Sequence, residues 1–221
     1  MLKILKKELT SLGVLLIFVS AALLTVAAMY LVITGRDLER TPMAVMDYLF
    51  ILEGMVIFGL PMGNEKYDEK NKGYHLYGML PVKKAKIVKA KFLAFLIPGI
   101  VMAFAIWLAH FIVLKGIYPE IVLGAVCVAF SFSAFMMGIL YVFIFKLEYS
   151  KMLIPTMLTY MLVLSFPIWS TIILRRVFGI SENGLIGFYT SPVPFAVVLI
   201  SLICLYFLYK KAVRKFLQRE F

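Results

Sequence analysis

Glu53 is the one acidic residue deep inside an apolar stretch of this chain, between Leu52 and Gly54. An ionisable group there is costly in lipid and marks a substrate path, a proton relay or a paired structural carboxyl. Counted from Met46 at 1.5 Å per residue, it lies roughly 10 Å in from the outer end of its stretch. His110 sits near the outer end of another apolar stretch, at a depth that can reach Glu53, and Asp47 stands at the outer mouth. These three are the candidates to line a path, with Glu53 holding a cationic part of a substrate. A protonated or hydrogen-bonded Glu53 that ties its helix to a neighbour is the alternative. Intramembrane hydrolysis needs paired carboxylates or a Glu/His metal set, and Glu53, Asp47 and His110, with His75 far away in a loop, are too few and too scattered. No metal site, bound cofactor or catalytic residue is expected. No Gly-x-x-x-x-Gly-Lys-Ser/Thr run occurs, so the chain has no loop of that kind to cradle a nucleotide phosphate.

The elements that must carry these residues follow from composition. Of 221 residues 63% are hydrophobic and 16% charged, against about half and a quarter in soluble domains. A soluble enzyme is excluded, because such a chain would expose a large apolar surface. Six apolar stretches stand out, at 12–34, 46–63, 92–114, 120–145, 152–174 and 192–209. Each approaches or exceeds the roughly 20 residues that carry a helix across a bilayer core. Backbone groups in lipid must be satisfied within the segment, so the expected fold is an all-α integral membrane protein with six transmembrane helices. The first stretch is too long for a signal-peptide core and is expected to remain as a span. Cys127 and Cys204 fall inside spans and read as small apolar residues.

Charge sets the orientation. Of the 23 Lys and Arg, 18 lie before the first span, in 64–91, in 146–151 or after the last span. Positive flanks mark the cytoplasmic side, so both termini are expected there. The net charge of +11 then faces anionic lipid headgroups and calls for no nucleic acid. At the N-terminus Leu2, Leu5, Leu9 and Leu12 oppose Lys3, Lys6 and Lys7, as in an amphipathic helix lying in the headgroup plane. At the other end Val213, Phe216 and Leu217 oppose Lys210, Lys211, Arg214 and Lys215, so the last span is expected to continue as an amphipathic helix.

The connections at 115–119 and 146–151 are short hairpins, whereas 35–45 and 175–191 are modest external loops. Only 64–91, at 28 residues, is long enough to carry function of its own. Its first part has Asn64 as a cap, Glu65, Asp68 and Glu69 early, Lys70 and Lys72 late, and Gly73 as a stop; these are helix signals in dipole order. Its second part places Pro81 in the first turn of another helix, with Ala85, Val88 and Phe92 on one face. That helix is expected to lie along the membrane surface and feed the third span.

In the fourth span Ala125, Ala129 and Ser133 recur four apart, beside Ala134 and Gly138, a spacing that suits close helix packing within one chain. Pro98, Pro155 and Pro167 are expected to kink their spans, and Pro61, with Gly59 and Gly63, to mark the end of the second.

The sequence of elements in the loop resembles the type-2 permeases of bacterial ABC-type exporters. The residues that carry the resemblance are Asp68-Glu69-Lys70-Asn71-Lys72-Gly73-Tyr74, Leu80-Pro81-Val82-Lys83-Lys84 and Ile87-Val88-Lys89-Ala90-Lys91. Lys83 stands where that family often has Ser or Thr. The resemblance implies that residues 1–221 form a single transmembrane permease domain, itself not an enzyme. It implies that loop 64–91 holds a coupling helix that docks on a separate ABC ATPase subunit through Glu65, Tyr67, Asp68, Glu69, Lys70 and Gly73. ATP and Mg belong to that partner. A second permease chain, identical or related, is expected to complete a dimeric path in the bacterial cell membrane. The cargo class implied is amphipathic or hydrophobic: a peptide, drug or lipid. A proton-coupled secondary transporter using Glu53 and His110 is the alternative, and a membrane-embedded enzyme a further one. The secondary transporter leaves the long loop unexplained.

Overall fold

A computed structural model of the chain describes Gly54 and residues 57–59, 61–68, 70–71, 82–113, 119–147 and 149–218. The amphipathic N-terminal helix, the span at 12–34, the loop at 35–45 and most of the span at 46–63 lie outside the described residues, as do residues 72–81. Among the described residues every element is helical. After the helical residues at 57–59 and 61–68 come α1 (Lys84–Val113), α2 (Pro119–Lys146), α3 (Tyr149–Arg176), α4 (Glu182–Thr190) and α5 (Val193–Leu217).

Within α1, α2 and α5 the stretches Lys84–Leu108, Glu120–Lys146 and Val193–Leu217 are long and apolar enough to cross a membrane. The bounds of α2 follow from its ends. Pro119 takes the first helical position, where its missing N–H costs nothing. Glu120 and Lys146 then match the positive and negative ends of the helix dipole. The left-handed Gly179 (φ 62°) follows α3, whose last turns close with Val177 N–H donating to the Ile173 carbonyl at 2.9 Å.

Two sequence expectations are corrected here. Asn64 does not cap a new helix, because it lies inside the helical run 61–68, and Pro61 and Gly63 are helical too. The run ends instead at Asn71, whose N–H and Nδ2 both donate to the Tyr67 carbonyl, at 3.1 and 2.9 Å. Nor is the second basic helix separate from the third span. Val82 and Lys83 are non-helical, and α1 runs unbroken from Lys84 through Pro98 to Val113. The physical reason is that the basic segment has an inner face: Ile87, Val88, Ala90 and Phe92 are buried in the same core as Phe95.

Of the three stretches long and apolar enough to cross a membrane, that of α2 is the most enclosed and that of α5 the least. The small residues of α2 are used inside the chain. Ala125, Ala129, Ser133 and Ala134 are buried. A Cβ on Gly138 would lie 2.6 Å from Leu205 Cδ2 of α5, and one on Gly124 only 2.1 Å from the Tyr189 carbonyl oxygen of α4. Backbones approach this closely only where a side chain is missing.

The α4 helix lies in what the sequence reads as an external loop. Ser181 caps it, its Oγ accepting from Gly184 N–H at 3.2 Å. Ile186 and Tyr189 of α4 pack on Ile121, Ala125 and Ala129.

At the end of the bundle that carries Lys84, aromatic rings join α1, α2 and α5. Phe95 stacks on Tyr141 at 5.7 Å, Tyr141 on Phe145 at 5.6 Å, and Phe145 meets Phe216 at 5.0 Å. Phe92 meets Tyr209 edge-on at 5.7 Å, and the Tyr209 hydroxyl donates to the Ala85 carbonyl at 3.4 Å. The last helix therefore continues past its predicted span, as its amphipathic pattern implies. Its buried residues there are Ala212 and Phe216, while Leu217 is exposed.

Candidate functional site: a buried ion triad

The residues before the loop and those after it run antiparallel. Gly99 of α1 leaves room for Ile57, whose Cγ1 would lie 3.0 Å from an added Cβ. Roughly two turns further along each segment, Glu65 and Asp68 come opposite Lys91. Spacing of three on a helix puts both carboxylates on one face, and that face is turned toward α1. Lys91 Nζ donates to Glu65 Oε1 at 2.5 Å and to Asp68 Oδ2 at 2.9 Å. The three side chains are 0–2% exposed.

Among the described residues one ammonium meets two carboxylates. Burying these groups carries a large desolvation cost, which close charge-assisted hydrogen bonds offset only with good geometry. Chemically the triad acts as a tether, with the Lys91 ammonium held between the two carboxylates.

The opposite side of the same turns faces outward. Lys66, Tyr67, Lys70 and Asn71 are exposed, Tyr67 at 63%. Of the residues expected to dock on an ATPase, Tyr67 and Lys70 are therefore outward. Glu65 and Asp68 are buried and hold Lys91. Glu69 and Gly73 lie outside the described residues. Glu53 and Asp47 lie there too, and His110 is described only as a backbone position in α1. Among the described residues no group of three His, Cys, Asp or Glu side chains converges as a metal site.

Sequence reasoning missed Lys91 as the partner of Glu65 and Asp68. The available signal was weak: Lys91 is the basic residue adjoining the third apolar stretch, and only a neighbouring acid lets a lysine be drawn in there.

No curated protein and no solved structure matches the chain. Residues 3–214, however, match the family described as ABC-2 family transporter protein. That match covers nearly the whole chain, and it agrees with the all-helical described residues, three of whose helices are long and apolar enough to cross a membrane. Membership makes the chain a multi-pass membrane permease and implies an ABC ATPase subunit as its partner. The chain belongs to the ABC-2 family of transporters, as a membrane component.

Proposed function

We propose that residues 1–221 form one permease domain of an ATP-driven exporter, with six spans and both termini in the cytoplasm of a bacterial cell. Two such chains, identical or related, enclose the path, and each receives one ATPase subunit at the turn beginning near Asn64. The observation that supports this most directly is the two-sided character of residues 64–71. One side presents Tyr67 between Lys66 and Lys70, an exposed aromatic of the kind that anchors protein interfaces. The other is tied through Glu65 and Asp68 to Lys91, close to where α1 enters its apolar stretch. Movement of a docked ATPase would then pass through the triad into α1 and on to α2 and α5 through the aromatic seam. Glu53, with His110 and Asp47, is proposed to line the path, and the cargo to be an amphipathic peptide, drug or lipid.

The test is co-purification of the ATPase with the full-length permease and measurement of coupled ATP hydrolysis. Tyr67→Ala should lower the recovered ATPase at least tenfold, a loss typical of an interface anchor, while the permease melts at an unchanged temperature. Full recovery and coupling in that variant would remove the docking role. Transport by the permease reconstituted alone on a pH gradient would overturn the ATP-driven reading. Glu53→Gln with unchanged export and substrate-stimulated hydrolysis would remove the path role.

A further inference from the structure

Two basic segments far apart in the chain lie side by side at one end of the bundle. Lys83, just before α1, and Lys86, in its first turn, are exposed. At the end of α5, Lys210, Lys211 and Arg214 are exposed as well. A hydrogen bond and an aromatic contact hold the two ends together. The Tyr209 hydroxyl donates to the Ala85 carbonyl at 3.4 Å, across 124 positions of sequence. Lys84 Nζ stands 5.8 Å from the centre of the Phe216 ring, and Phe216 is itself buried against Phe145.

No acid answers these cations within their own helices. Residues 82–113 and 193–218 contain no Asp or Glu. Glu65 and Asp68, the acids that pack on α1, are buried on Lys91. Gathering like charges is unfavourable unless anions collect on them.

Depth and the neighbouring side chains choose the anion. Counted from Val193, roughly 20 residues of α5 cross a hydrocarbon core, which brings residues 210–215 to headgroup level. Ile203, Phe207, Lys210 and Arg214 follow one another at spacings of four, three and four, so they form one stripe along the helix. All four are exposed. The stripe is apolar in its deeper half and cationic in its shallower half. Beside it the Lys210 ammonium lies 4.6 Å over the ring of Tyr206, an arrangement suited to the membrane–water boundary, where a lysine reaches up past an aromatic ring. A soluble polyanion would satisfy only the cations. A phospholipid brings a phosphate for Lys210 and Arg214 and an acyl chain for Ile203 and Phe207.

We propose that the exposed stripe of α5, where its end meets the start of α1, is a binding site for an anionic phospholipid. The phosphate is held by Lys210 and Arg214, the guanidinium being suited to paired hydrogen bonds with phosphate oxygens. Lys83 and Lys86 add to the positive field from the neighbouring helix, which selects an anionic headgroup over a zwitterionic one. The charge count along the sequence assigns a side of the membrane; the junction of α1 with α5 makes a local site on that side. The proposal goes beyond the transport reading and stands whichever energy source drives the permease.

The experiment uses the full-length permease in detergent, offered equal amounts of phosphatidylglycerol and phosphatidylcholine with the same acyl chains. Native mass spectrometry counts the lipids retained. Phosphatidylglycerol should be retained at least fivefold over phosphatidylcholine, and raised salt should reduce that preference. Replacing both Lys210→Gln and Arg214→Gln should lower the preference roughly tenfold or abolish it, since each basic residue at an anionic surface contributes roughly fivefold. Exchanging the two cations, Lys210→Arg with Arg214→Lys, should keep it. Arg175→Gln with Arg176→Gln removes two charges at the far end of α3 and should leave it unchanged. An unchanged melting temperature shows that the variants are folded, and the charge-keeping pair preserves the comparison if the Gln pair is unstable. Equal retention by the Gln pair and the parent protein would overturn the proposal. So would an equal loss in the Arg175 and Arg176 pair, which would make the preference a matter of net charge. Loss of a co-purifying ATPase from the Gln pair with phosphatidylglycerol still retained would make the stripe a protein contact, and would overturn it too.

Discussion

The ammonium of Lys91 lies 2.9 Å from the carboxylate of Asp68, with both side chains closed off from solvent. Twenty-three residues and the whole loop separate them in sequence, so the contact fixes how the loop's two arms meet. Removing the cation alone should be worse than removing the charges together. Lys91→Met would leave two carboxylates buried side by side, costing roughly 3–5 kcal/mol. Adding Glu65→Gln and Asp68→Asn should recover most of that loss. Melting temperature of the purified permease in detergent measures both; equal loss in the single and triple variants would show that the ion pairing does not govern stability.

Glycine-to-alanine changes should rank by what the new methyl meets. At Gly124 it meets the Tyr189 carbonyl oxygen at 2.1 Å, a backbone atom that cannot move aside without shifting α4. Overpacking of this kind costs about 1–3 kcal/mol or more. At Gly138 it meets the tip of Leu205, which can rotate, so the loss should be smaller. At Gly59 nothing lies within 4 Å, and alanine should stabilise the helix by up to about 1 kcal/mol. Thermal stability in that order is the expected outcome.

Ser181→Ala should loosen the start of α4. The Oγ that accepts from Gly184 N–H is lost, at about 1 kcal/mol for a cap. Hydrogen exchange at Gly184 and Leu185 should quicken several-fold while exchange in α2 is unchanged. Unchanged exchange at both would show that the cap is not what holds that turn.

Phe216 and Leu217 are neighbours in sequence with opposite surroundings. Phe216 is fully buried against Phe145, and Leu217 is 58% exposed. Phe216→Ala should cost about 3–5 kcal/mol, whereas Leu217→Ala should stay within about 0.5 kcal/mol. Denaturation of the two variants side by side checks the difference.

Much of the scaffold was legible because a membrane span is a local property. The stretch 120–145 became Pro119–Lys146, 152–174 became Tyr149–Arg176, and 192–209 grew to Leu217 along the face its lysines left apolar. Length and apolarity set these bounds whatever the neighbours do. The third stretch was misjudged at its start. The helix starts at Lys84, before the apolar stretch at 92–114, and the partner that lets Lys91 be buried within it comes from another helix. The loop at 175–191 hid α4, although Ser181 followed by Glu182, with Leu185, Ile186 and Tyr189 at helical spacing, was the signal it offered.

By itself the sequence determined that this chain is a helical membrane protein, and where most of its described helices lie. Those are consequences of composition and periodicity, which act along a single helix. Tertiary structure alone decided that Glu65 and Asp68 face inward to Lys91 while Tyr67 faces out, and that Phe216 is buried beside an exposed Leu217. A helix shows on its own which residues share a face. Which face is buried is set by the surfaces of other helices, and these come together only when the chain has folded.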